Sequence, residues 1–236
     1  MDHVKAAEQL VRSRFPDARA AFLAGSVLTE RRTPRSDLDI VVLLSGPPAP
    51  YRESLHYEGW PAELFVHTEA EWHRFVERET AARRSPLLAM CAEGLLLFDA
   101  DGIGAELRAE AGRRWAAGPP PASEAELEEL RYAVTDTLDD LAGCTDPLEH
   151  TYLVGHLLRR ATELVLLAGG HWLSTGKWLS RRLADADAEL HHRLASSATA
   201  ALSGPDDDDA VGRFTDVVRE ILESAGGACW AGYRRG

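Results

Sequence analysis

Two aspartates separated by a single leucine, Asp37-Leu38-Asp39, stand at the head of the run Leu38-Asp39-Ile40-Val41-Val42-Leu43-Leu44. Apart from Asp39 that run is apolar and partly β-branched, as in a strand buried on both faces. Side chains alternate along a strand, so both aspartates project from one side, roughly 6.6–6.8 Å apart at the usual rise per residue. Like charges at that spacing repel, and the stability of a hydrophobic strand has no use for them. A pair of divalent cations would neutralise them and supply what phosphoryl transfer needs, a lowered pKa for an attacking hydroxyl and a counter-charge for leaving pyrophosphate. Leu38, between the acids, is expected to point into the core.

Gly25-Ser26, upstream, has the complementary chemistry. Glycine lets backbone approach a phosphate closely, and Val27, Leu28 and Thr29 are placed to begin a helix whose free N–H groups face the anion. The Ser26 hydroxyl can add a bond to a β- or γ-phosphate oxygen. The chain contains no GxxxxGK[ST], so this is not a Walker loop. A third carboxylate is expected on a neighbouring strand. Glu63, directly before Leu64-Phe65-Val66, has that context. Glu58 and Glu69 compete with it, but Glu58 precedes a Gly-Trp-Pro turn and Glu69 falls at a helix start.

Gly25-Ser26 followed by Ser36-Asp37-Leu38-Asp39 and a strand resembles the GS…DxD signature of the DNA polymerase beta-like nucleotidyltransferase superfamily. The layout looks most like the small-molecule branch, the aminoglycoside and lincosamide nucleotidyltransferases. The likeness spans residues 24–43, or 24–66 with Glu63 and its strand. It implies a mixed sheet, two Mg²⁺ ions held by Asp37, Asp39 and Glu63, and an NTP, ATP foremost, bound at Gly25, Ser26 and Ser36. It also implies a helical C-terminal domain closing over a small-molecule acceptor. The implied reaction moves an NMP, AMP foremost, to an acceptor hydroxyl, such as that of an aminoglycoside-type antibiotic, and releases pyrophosphate. One departure stands out: Thr29-Glu30-Arg31-Arg32 occupies the place where many relatives carry a second glycine.

The elements needed to position these residues can be read from the pattern. The opening residues form an amphipathic helix, 19–23 a short strand and 38–44 a buried one, stopped by the prolines of 46–50. Segments 52–60 and 62–68 form a hairpin around Gly59 and Pro61. A helix over 69–80, a further apolar segment, a strand at 95–99 and a helix over 104–116 complete an α/β (α+β) domain, residues 1–117. A Pro-rich linker covers 118–123, where Ser123 and Glu126 form a capping box for the next helix. From 124 to 236 the chain reads as an all-α bundle. Leu127, Leu130, Val134, Leu138 and Leu141 fall in steps of three and four, and helices are expected over 147–168, 178–201 and 208–225. The last aspartate of the 206–209 tract can cap the final helix.

The helical half offers acceptor-side candidates. Glu149, His156, Arg160 and Glu163 form a narrow polar stripe on an otherwise apolar helix. The family resemblance implies a general base from this half, Glu163 or Glu149; the alternative is a His–Glu–Arg network at a domain interface. Lys177, in a turn before a helix, can reach the triphosphate as a point charge or be a surface lysine. Asp136, Asp139 and Asp140 lie off the apolar face, either solvated or contacting the acceptor. Trp60 can stack a base or sugar, or fill the core.

A formal charge of -12 over 236 residues disfavours long nucleic acid and suits a neutral or cationic small acceptor. No apolar run reaches the roughly 18 residues that span a bilayer. Three scattered cysteines argue against a disulfide framework and for a reducing cytoplasm. A monomer or a homodimer is compatible with the pattern. Protein nucleotidylylation, as in antitoxin-like minimal nucleotidyltransferases, is the enzymatic alternative, opposed by the long helical half. A degenerate nucleotide-binding module is the non-enzymatic one, opposed by the two retained like charges.

Overall fold

The structure is a computed structural model and describes residues 2–234. The chain divides into two units, one ending at Pro119 and the other beginning at Pro120, inside the proline-rich segment. In the first, helix α1 (His3–Arg14) precedes strands β1 (Ala20–Ala24), β2 (Leu38–Leu44), β3 (Tyr51–Tyr57) and β4 (Trp60–Thr68). Helices α2 (Glu69–Ala81) and α3 (Pro86–Glu93), strand β5 (Leu95–Asp99) and helix α4 (Ile103–Ala117) follow.

The five strands form one mixed sheet in the order β3-β4-β2-β1-β5. β2 runs parallel to β4; β1 is antiparallel to β2 and β5, and β3 to β4. β1, between two neighbours and covered on both faces, is buried at every position, whereas β3 at the edge alternates half-buried and exposed residues. The β3–β4 turn is only Glu58 and Gly59, with φ of 49° and 84°, the left-handed pair that a two-residue hairpin loop requires. Tyr57 therefore pairs with Trp60, and the rest of the register follows: Ser54 opposite Glu63 and Arg52 opposite Phe65.

Helix α1 lays Ala6, Ala7, Leu10 and Val11 into a core with Leu38, Ile40, Leu64 and Val66. Those positions alternate with Asp39 and Val41 on β2 and with Glu63 and Phe65 on β4, so both acids occupy the sheet face turned away from α1. The apolar segment after α2 is helical: α3 starts with Pro86 in its first turn, where the missing N–H costs nothing. None of the three cysteines is in a disulfide. Cys91 is buried, and burial pushes its thiol up to about 12, so it is inert at neutral pH.

The second unit contains α5 (Glu124–Gly143), α6 (Pro147–Ala168), α7 (Lys177–Ala186), α8 (Ala188–Ala201) and α9 (Asp208–Ser224). Val134, Leu138, Val154, Leu157, Leu194 and Phe214 meet in its core. The Ser123–Glu126 capping box opens α5 as expected. Two expectations need correction. The single helix over 178–201 is two, broken at Asp187, which ends α7 in an extended conformation and caps α8 by accepting from the Leu190 N–H. The cap of α9 is Asp207, accepting from the Ala210 N–H, while Asp209 lies inside the first turn. No helix among the described residues is long and apolar enough to cross a membrane.

Candidate active site

Asp39 is the second residue of β2, and Asp37 lies immediately ahead of the strand. Between them Leu38 is fully buried, anchoring the strand as expected. In the sheet register Asp39 stands beside Ala24 of β1 on one side and Glu63 of β4 on the other. The parallel pairing thus delivers a third acid next to the second. Asp37, Asp39 and Glu63, all half-buried, each present one carboxylate oxygen, and these three atoms lie within 4.8 Å of one another. The competing acids are elsewhere: Glu58 is in the hairpin turn, and Glu69, beyond the end of β4, accepts from Arg19 at 3.0 Å.

An all-carboxylate cluster is the donor set that hard divalent cations such as Mg²⁺ take, so these residues fit the metal that the motif implies. The chain leading out of β1 fits it as well. Gly25 has φ 88°, and a Cβ added there would lie 2.1 Å from Asp39 Oδ2. Only glycine lets this backbone pass so close to the carboxylate.

Beyond Gly25 the expected helix is a single 3₁₀ turn, Ser26–Leu28. Thr29 ends it: the residue is extended, its hydroxyl donates to the Ser26 carbonyl at 3.0 Å and accepts from the Arg31 N–H at 3.2 Å. Local bonding of this kind competes with helix propagation. Ser26 and Ser36 are buried and hydrogen-bond each other at 2.9 Å, and the Ser36 hydroxyl also accepts from the Thr33 N–H at 3.0 Å. The two serines therefore tie the turn after β1 to the residue preceding Asp37.

Glu63 has neighbours that sequence reasoning missed. Arg52 donates to its Oε2 at 2.6 Å and Ser54 to its Oε1 at 3.2 Å. The signal was the hairpin register, which places Ser54 and Arg52 on the strand beside Glu63. Trp60 is engaged by the Arg32 guanidinium, 5.0 Å from the ring centroid.

The remaining candidates belong to the helical unit. Glu163 is buried, and its two oxygens accept from Arg159 and Arg160, each at 3.1 Å. Burial, then the Arg160 and Arg159 charges, hold His156 below the ordinary imidazole pKa despite Glu163. Glu149 is exposed in the first turn of α6, and Lys177 is exposed as the first residue of α7. On α5, Asp136 is half-buried and Asp139 and Asp140 are exposed.

No family model matches the chain, and no curated protein matches it. Among solved structures it is similar to a nucleotidyltransferase-like protein from Exiguobacterium sibiricum, at 14% identity and a TM-score of 0.38, over 94% of this chain and 80% of that one. A likeness that distant carries no functional argument.

Proposed function

We propose that this chain is a metal-dependent nucleotidyltransferase that moves a nucleoside monophosphate, AMP foremost, from an NTP to a hydroxyl of a small acceptor. The observation that carries the reading is the gathering of Asp37, Asp39 and Glu63 at the head of a buried strand, with Gly25 backbone pressed against Asp39. A fold has no structural need for three acids there, and a hard cation gives them one. Mg²⁺ bound by the three would offset the triphosphate charge and make an attacking hydroxyl more acidic.

Around it the protein's own groups bind and orient. Gly25 lets the backbone leaving β1 pass against the Asp39 carboxylate, and the Ser26–Ser36 bond fixes the loop beyond it. In the reaction the acceptor oxygen bonds to the α-phosphorus, the bridge to the β-phosphate breaks, pyrophosphate leaves, and the hydroxyl proton passes to a base. Positioning and charge neutralisation supply most of the rate. A base drawn from the helical unit needs an accessible oxygen. Glu149, exposed, meets that condition better than Glu163, whose oxygens hold two guanidiniums. The formal charge of -12 favours a neutral or cationic acceptor, of which an aminoglycoside-type antibiotic is the example that the motif suggests.

The test is pyrophosphate release from each NTP with Mg²⁺ across a panel of aminoglycosides and lincosamides, wild type against Asp39→Ala. Acceptor-dependent release in the wild type, falling to background in the variant, is the expected result. Full activity in Asp39→Ala, or no NTP binding by the wild type, would sink the reading.

A further inference from the structure

The third carboxylate carries a cation of its own. Arg52 stands opposite Phe65, on the sheet face that Glu63 shares two residues away. Its guanidinium lies 4.8 Å from the Phe65 ring centroid and reaches diagonally to Glu63 Oε2. The Arg52 side chain is 62% exposed, against 26% for Glu63. An ion pair so open is held weakly, and its guanidinium is within reach of any anion that arrives at the triad. A triphosphate carries more negative charge than one carboxylate, and its oxygens match the guanidinium fork.

We infer that Arg52 is a phosphate-binding residue that exchanges partners, holding Glu63 before nucleotide arrives and passing to a triphosphate oxygen when the metal-bound nucleotide engages the carboxylates. This rests on the nucleotidyl-transfer reading and adds a coupling to it. A divalent cation arriving alone competes with the guanidinium for the Glu63 carboxylate and brings no anion for Arg52 in exchange. A metal–NTP complex brings the replacement anion with it, so both Glu63 and Arg52 stay paired. Arg52 therefore opposes bare metal and favours metal–nucleotide, and its removal has effects of opposite sign on the two affinities.

The experiment titrates Mn²⁺ into the full chain by electron paramagnetic resonance. It then titrates the α,β-methylene analogues of ATP and GTP at saturating Mn²⁺ by calorimetry. Wild type, Arg52→Ala, Arg52→Gln, Arg52→Lys and Glu63→Gln are compared, with thermal melts to confirm folding. Arg52→Ala and Arg52→Gln are expected to bind Mn²⁺ about twofold to fivefold more tightly and the nucleotide analogue about tenfold or more weakly. Arg52→Lys, which keeps the charge but loses the fork, stays near wild type for Mn²⁺ and intermediate for nucleotide. If both affinities fall together in Arg52→Ala, the residue only orients Glu63; if neither changes, it is a surface ion pair. Either result overturns the inference while leaving the metal site standing, provided Glu63→Gln weakens Mn²⁺ binding. If wild type takes up no Mn²⁺, or Glu63→Gln binds it as well as wild type, the nucleotidyl-transfer reading itself fails and the inference falls with it.

Discussion

Gly25 and Asp39 constrain each other closely. A methyl at Gly25 would meet Asp39 Oδ2 at 2.1 Å, on a backbone with φ 88° that L-residues rarely adopt. Gly25→Ala is therefore expected to destabilise the fold by about 1–3 kcal/mol, read by urea unfolding, and to abolish Mn²⁺ binding by displacing Asp39. The double variant Gly25→Ala/Asp39→Gly separates the two effects: it regains the part of the stability lost to overlap, but no metal binding. Intact Mn²⁺ affinity in Gly25→Ala would show that the close approach is wrong. The Asp37–Asp39 relation was legible in the sequence because it is local to the head of one strand, and Gly25-Ser26 arrives beside it through the β1–β2 pairing that sets Ala24 against Asp39. Glu63 was legible because an acid ahead of a short apolar run needs only strand pairing to arrive. Arg52 was not, because its contact depends on a two-residue turn in which Glu58 takes φ 49°. Asn or Gly at that position would have announced such a turn, and glutamate does not.

The elements teach a related lesson through α7 and α8. Leu179, Leu183, Leu190, Leu194 and Ala198 keep helical phase across 178–201, so apolar periodicity reads one helix where there are two. Phase survives the break because both helices pack the same stripe inward: Leu183, Leu194 and Ala198 share one core. The interruption comes from Asp187, with φ −152° and ψ 95°, whose carboxylate accepts from the Leu190 N–H at 2.9 Å. Asp187→Ala should cost about 1 kcal/mol in chemical denaturation, and Asp187→Ser most of that less. Unchanged or increased stability in Asp187→Ala would mean that the cap contributes nothing and that a continuous helix is accessible. The turn after Gly25 reversed expectation for the same kind of reason. Val27, Leu28 and Thr29 were expected to begin a helix, but Thr29 found closer partners in Ser26 and Arg31.

At the scale of the whole molecule, acidity and buried imidazoles pull stability in opposite directions as pH falls. A chain of formal charge -12 gains from losing self-repulsion on acidification. Most carboxylates titrate near about pH 4, however, so between roughly 5 and 6.5 the histidines act, opposed by Glu79, whose carboxyl burial pushes up. His67 on β4 is buried edge-on to Phe75, ring centroids 5.0 Å apart, with Nδ1 lacking a hydrogen-bond partner. Burial holds its pKa below the ordinary imidazole value, with Glu71 opposing. A folded pKa below the unfolded one means that the stabilising contribution is fully present above about 6.5. It is lost as pH falls toward the folded value, because the unfolded chain takes up the proton first. His156 in the helical unit shifts in the same direction. Urea unfolding of the wild type is therefore expected to show lower stability at pH 5.5 than at pH 7.5. His67→Phe and His67→Leu, whatever their absolute stability, should show a shallower dependence across that window. Parallel curves for wild type and both variants would mean that His67 titrates alike in the folded and unfolded chains; a wild type that gains stability on acidification would mean that relief of self-repulsion outweighs the histidines.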